Sequence, residues 1–151
     1  MYKKILVPID GSPTSKRGLT EAMRLAKHPK SRLRLIHVVG LFIPTPKLAG
    51  RPYCGDVQKF LRETGSRILK QTLARVRKRG FAADALMFEI VTGSVASEIV
   101  KQAKKWRADI IVIGTHGRRG VLRLVMGSDA EEVVRTSPVP VLLVRPKRSG
   151  H

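Results

Sequence analysis

Acidic side chains are scarce in this chain. Eleven Asp and Glu stand against 30 Lys and Arg, a formal net charge of +19 over 151 residues. Aromatic residues are also few, at 5%, which excludes a core built on ring packing and leaves Val, Ile, Leu and Ala to carry it. A single cysteine, Cys54, excludes an internal disulfide framework and fits a reducing compartment. No apolar run approaches the ~20 residues a membrane-spanning helix needs, so no membrane partner is expected. The opening Met1-Tyr2-Lys3-Lys4-Ile5-Leu6-Val7-Pro8 sets charge before apolar residues as a signal peptide does. Its apolar run is too short for one, and Asp10 ends it, so the expected location is the cytoplasm.

The remainder is ordinary globular material. Hydrophobic residues make up 42%, too many for a disordered chain, and the length fits one domain over 1–151 that needs no metal or disulfide. The charge is unevenly spread: residues 1–80 hold 19 Lys/Arg against 4 acids, residues 81–117 balance at 4 and 4, and residues 118–151 hold 7 against 3. Such a field attracts polyanions and steers anionic ligands, although solubility alone also accounts for it.

Short apolar runs alternate with longer amphipathic ones. Lys4–Ile9 reads as a first strand, stopped at Asp10-Gly11-Ser12-Pro13; Thr14 or Ser15 then caps a helix to about Lys27, with Leu19, Ala22, Met23 and Ala26 on one face. Arg32–Val39 is a second strand. The glycines and prolines of 40–55 predict a loop, and Asp56–Arg79 a long helix that Gly65 weakens. Leu86–Val91 is a third strand, followed by a helix with Val95, Ile99, Val100 and Ala103 inward. Asp109–Gly114, apolar from Ile110 to Ile113, reads as a strand buried on both faces. A Gly/Arg-rich loop, a helix from Ser128 to about Thr136 and a last strand Val139–Arg145 complete the chain. This alternation predicts an α/β fold, a doubly wound five-stranded parallel sheet of order 3-2-1-4-5 with helices on both faces, Rossmann-like. Ligands of such sheets bind outside the carboxyl ends of the strands, at the switch point. Asp10, Val38, Val39, Gly93 and the stretch from Gly114 are the residues expected there.

After the fourth strand comes Gly114-Thr115-His116-Gly117, then nine residues from Arg118 to Met126, then Gly127-Ser128 opening a helix. Glycine permits positive φ and close backbone approach, and free amides beside a helix N-terminus make an anion cradle. Ser128 is placed either to cap that helix or to donate to a phosphate. Turn-making alone is the plainer use of these glycines.

The pattern G-x2-G-x9-G-S, read as Gly114, Gly117, Gly127 and Ser128, resembles the ATP-binding signature of the universal stress protein family. Tyr2–Ser12 resembles the opening of that family, Leu35-Ile36-His37-Val38-Val39 its second strand and Thr136–Val144 its closing strand. The resemblance implies that Asp10 accepts hydrogen bonds from the ribose hydroxyls and that the Val38 backbone reads the adenine edge. Pro8, Ile9 and Ile113 would wall the base; Gly114 and His116 would lie near the ribose and α-phosphate. Gly117, Gly127, Ser128 and the amides after it would hold the phosphates, with Arg118 and Arg119 adding charge. Asp129 and Ala130 depart from the family's strongest ATP binders. Asp129 would serve the helix dipole, repel a γ-phosphate or ligate Mg2+ between phosphates, which leaves ATP, ADP and AMP open.

Other residues are set aside. His37 reads as a packed structural histidine, His28 as a surface residue and Trp106 as packing where its helix ends. Ser12 and Ser15 have no histidine near in sequence to make a nucleophile. With Cys54 alone no zinc site is expected. No Walker lysine follows the glycine loop, so no catalytic residue is assigned and at most slow ATP hydrolysis is expected. Two other readings stand beside ATP-binding regulation: a nucleotide-independent dimeric interaction protein, and a nucleic-acid binder on the basic 1–80 stretch. The last lacks interleaved aromatics and is not favoured. A homodimer is expected through the last strand, whose apolar edge would pair with its own copy.

Overall fold

The computed structural model describes residues 1–41, 53–116 and 126–147. Strands and helices alternate as β1 (Lys4–Pro8), α1 (Pro13–Leu25), β2 (Arg32–Gly40), α2 (Tyr53–Lys78), β3 (Ala82–Ile90), α3 (Val95–Trp106), β4 (Ile110–Gly114), α4 (Ser128–Thr136) and β5 (Val141–Val144). The strands form one parallel sheet in the order β3-β2-β1-β4-β5, as the alternation predicts. α1 and α2 cover one face, where Leu19, Ala22, Met23, Leu69 and Val76 pack on Ile5, Val7, Leu33 and Leu35. α3 and α4 cover the other, with Ala96, Ile99, Ala103, Ala130 and Val133 on Leu6, Ile36, Ile111 and Ile113. β1 and β4 contribute to both clusters because successive side chains point to opposite faces. Each fully buried Ile or Leu is worth about 1.5–3 kcal/mol, so this aliphatic set replaces the missing rings.

Element ends depart from the sequence reading for local reasons. Ser12, not Thr14 or Ser15, caps α1: its hydroxyl accepts from the Ser15 amide at 3.2 Å, and Pro13 takes the first helical position, where no N–H is needed. β2 runs on to Gly40, which pairs with Ile90, and α2 begins at Tyr53, taking the last three residues of the expected loop; residues 42–52 of that loop lie outside the described residues. β3 starts at Ala82 rather than Leu86. Ala82-Ala83-Asp84-Ala85 has no strand propensity of its own, but Asp84 sits opposite Arg34 and holds it bidentately, with Nε–Oδ1 and Nη2–Oδ2 both 2.7 Å. β5 begins at Val141 because Pro138 and Pro140 bring no amides to a ladder. Gly65 is required inside α2: a Cβ there would lie 2.4 Å from Cδ2 of the His37 ring. His37 is the structural histidine expected, its Nδ1 2.7 Å from the Ile9 carbonyl oxygen.

The Arg34 guanidinium also lies 4.5 Å from the centre of the Trp106 ring, with Lys4 Nζ at 5.8 Å. Lys4 Nζ donates to the Trp106 carbonyl at 3.2 Å, which fixes the end of α3 to β1 and confirms Trp106 as packing where its helix stops. The hydrogen bonds to Asp84 push Arg34 further above its ordinary range, so the cation is permanent. Removing Asp84 leaves this partly buried cation unpaired. Asp84→Ala should cost about 1–3 kcal/mol in urea denaturation, whereas Glu63→Ala, which breaks an exposed pair with Lys59, should cost under about 0.5 kcal/mol. Equal effects would mean that the Arg34 cluster adds nothing beyond a surface pair.

Candidate functional site

The crevice expected at the switch point begins where β1 and β4 part. Their ladder spans two residue pairs, Ile5 with Ile110 and Leu6 with Ile111, while β1 stays paired with β2 up to Pro8 and Ile36. Past Leu6 and Ile111 the two strand ends are held by other contacts. Thr14, buried at the start of α1, donates its hydroxyl to the His116 carbonyl. Gly114 makes that approach possible, since a Cβ on it would stand 2.9 Å from both the carbonyl carbon and Cβ of Thr14. Close packing of β4 against α1, not a positive φ, is therefore what requires glycine at Gly114.

α4 is tied to the same strand end. The Gly127 amide donates to the Thr115 carbonyl at 2.6 Å, and Gly127 rather than Ser128 is the cap residue. Among the described residues no side chain caps this helix; Ser128 occupies its first turn with its side chain exposed. Helix starts leave their first amides without intrahelical partners, and among the described residues no capping oxygen serves them. Asp129 is exposed in the same turn, in the favourable position for a carboxylate beside a helix dipole. Ala130 turns its methyl into the core at 3% exposure, so only its backbone faces the helix start.

On the other side of the crevice, Asp10 is half-buried and its Oδ1 accepts from the Ser12 amide at 2.8 Å, which curls the chain after β1 into α1. Val38 is placed by strand alternation. The Ile36 carbonyl faces β1, accepting from the Ile9 amide at 2.8 Å, so two residues on, the Val38 N–H and C=O face the same side, beyond the last paired residue of β1. The Val38 side chain packs in the α3–α4 cluster with Ile113, and by alternation from Leu6 half-buried Pro8 belongs to that face. Ile9 does not join them. Its side chain is buried in the α1–α2 cluster, and its carbonyl is taken up by His37.

His116 follows the end of β4, two residues past Gly114. Its Nδ1 is 2.9 Å from the Thr115 hydroxyl, and its buried Nε2 has no hydrogen-bond partner among the described residues. Sequence reasoning did not see that Thr14 holds His116 from 102 residues away; a buried threonine just after a strand–helix turn was the available signal. Gly117, Arg118 and Arg119 lie outside the described residues. Among the described residues no group of three or more His, Cys, Asp or Glu is placed to hold a metal, and no helix is long and apolar enough to cross a membrane.

A sequence model of the universal stress protein family matches residues 1–145. A universal stress protein of Methanocaldococcus jannaschii, MJ0531, is 35% identical over 152 residues, which cover 98% of this chain and 85% of that protein. The solved structure of MJ0577 from the same organism superposes with a TM-score of 0.85 at 28% identity, covering 99% of each chain. At the level of fold alone, the chain is also similar to a universal stress protein of Arabidopsis thaliana with AMP bound (TM-score 0.69, 18% identity, 97% of this chain and 93% of that one). One from Archaeoglobus fulgidus in complex with dAMP is similar in the same sense (0.66, 23%, 95% and 98%).

Gly114→Ala should destabilise the protein by about 1–3 kcal/mol, because the Thr14 backbone has to move. Gly18→Ala, whose Cβ would meet only ordinary contacts at 3.6 Å, should be neutral or stabilising by up to about 1 kcal/mol. Thermal or urea unfolding of the pair separates the two; a tolerated Gly114→Ala would show that this approach is not tight.

Proposed function

The chain belongs to the universal stress protein family, and on that premise we propose that it binds an adenine nucleotide in the crevice where β1 and β4 part. The carrying observation is the start of α4. A helix begins after Gly127, which is fastened to the end of β4, and among the described residues no side chain caps its first amides. Such a terminus is an anion site by both its N–H groups and its dipole. The phosphates lie on the amides of Ser128, Asp129 and Ala130, with Gly127 beside them and Gly117 and Arg118 contributing from the segment before. Asp10 accepts from the ribose hydroxyls, and Val38 meets the adenine edge through N–H and C=O directed past the end of β1. Pro8 and Ile113 bound the base, Gly114 and His116 the sugar side. Ile9 supports the site from behind, its N–H and C=O engaged by Ile36 and His37. The AMP and dAMP held by the Arabidopsis and Archaeoglobus proteins support adenine as the base.

ATP is the nucleotide we favour, with ADP and AMP sharing the base and ribose contacts. The role is regulation of a cytoplasmic stress response by a single-domain protein with at most slow hydrolysis, since no cation of the Walker kind stands before Ser128. Asp129 decides the phosphate number. ATP should bind in the micromolar range, about −8 kcal/mol, and GTP at least tenfold more weakly in calorimetry. If Asp129 repels a γ-phosphate, Asp129→Asn tightens ATP more than AMP. If it holds Mg2+, the same change weakens ATP only with magnesium present. Equal affinity for ATP and GTP would sink the adenine assignment.

We further propose a homodimer through β5, which forms one edge of the sheet and leaves Val141, Leu142 and Leu143 only half-buried. Antiparallel pairing of identical edges is self-complementary about a two-fold axis. Sedimentation should show a wild-type dimer that strengthens with salt as the +19 charges are screened. Val141→Lys should be monomeric; a variant still fully dimeric moves the interface elsewhere.

A further inference from the structure

The surplus of positive charge has a definite place in the fold. Residues 81–117, which include β3, α3 and β4, balance acids and bases in number, whereas Ser66–Arg79, the second half of α2 and the residue after it, carries six Lys/Arg and no acid. A groove runs between α1 and α2. Lys16 stands on its α1 wall, Arg75 and Arg79 on its α2 wall, and Leu19, Met23 and Ile68 line it below. Arg67 and Lys70 continue the basic surface along α2, joined to the groove through Gln71. All five cations are exposed, and among the described residues none forms an ion pair. Nearby acids are already engaged: Glu21 with Arg24 and Glu63 with Lys59.

Charge that serves solubility intersperses both signs over a surface. Here five cations are gathered along one concavity; α3 also carries Lys101, Lys104 and Lys105 against Glu98, but these do not line that groove. We propose that this groove docks the sugar–phosphate backbone of a nucleic acid, without reading sequence. Arg67, Gln71, Arg75 and Arg79 recur every four residues, about 6 Å apart along the axis, so they present a line of donors to a line of phosphates. A concave groove between helices accepts a backbone ridge; a flat headgroup surface would touch only the helix crests. None of the groove residues is aromatic, so base stacking has no platform there and phosphate contact carries the binding.

Fluorescence anisotropy with a labelled mixed-sequence duplex of roughly 20 base pairs tests this. With five phosphate contacts, affinity should fall about 100- to 1000-fold between 50 and 200 mM salt. Replacing Arg67, Lys70, Arg75 and Arg79 together by Gln should lower the slope of log affinity against log salt by about 3 to 4. Replacing Lys101, Lys104 and Lys105 on α3 by Gln should leave it unchanged. The substituted side chains are exposed, so circular dichroism and ATP affinity should stay at wild-type values, and a failure of the groove is separable from a failure of the nucleotide site. Equal loss from the α3 variant, or no salt-dependent duplex binding, overturns the proposal. Binding to phosphatidylserine vesicles without duplex binding would assign the surface to a membrane instead.

Discussion

The structure depends on one seam, the meeting of β1 and β4 at the centre of the sheet. At its amino end the Asp109 carboxylate accepts from the Lys3 and Lys4 amides, both at 2.8 Å, which sets where β4 starts relative to β1. At its carboxyl end Gly114 lets Thr14 close on the His116 carbonyl. Between those clamps only two residue pairs share the ladder. Beyond those pairs β1 and β4 share no ladder, and the proposed nucleotide site lies where they part. Because helices cover each side of the sheet, every strand near the seam is apolar on both faces.

The functional reading follows from what the seam leaves unspent. Backbone groups of Val38 extend past the end of β1, and among the described residues no side chain caps the start of α4 beside Thr115. Both are costs in an isolated domain, since backbone polar groups seek partners, and both are offset when a ligand with a polar edge and an anionic tail supplies them. An adenine nucleotide has both features, which is why this ligand class suits the site better than a purely anionic or purely apolar one.

Much of this was legible in the sequence, and the failures are instructive. The strand order follows from the alternation of Ile/Val/Leu runs with amphipathic helices, and the β1 and β4 runs were unambiguous because burial on both faces leaves no polar positions. β3 was truncated in that reading because Ala82–Ala85 is held in the sheet by Asp84 reaching Arg34, a contact across 50 residues that periodicity cannot show. Ser12 was read as part of a turn because Pro13 looked like a breaker, although proline at the first helical position removes an amide that needed no partner. In the site, the roles of Pro8, Asp10, Val38 and Ile113 rest on the family resemblance and those of Gly114, Gly127 and Ser128 also on the glycine spacing. Alternation sends the Ile9 side chain to the opposite face from Ile113, and the only signal of the Thr14–His116 contact was a threonine after the strand–helix turn.

The two proposed ligand surfaces meet near the end of β1, where Ile9 and Gly11 line the basic groove. They diverge from there, one toward β4 and α4 and the other along α1 and α2, so one measurement can locate the nucleotide. Amide chemical-shift mapping of the labelled protein during an ATP titration tests the account most directly. It predicts shifts centred on Asp10, Val38, Thr115 and Ser128–Ala130, with small changes at Arg67, Arg75 and Arg79. Shifts concentrated on the α1–α2 groove, or no saturable shifts at the ends of β1 and β4, would contradict it.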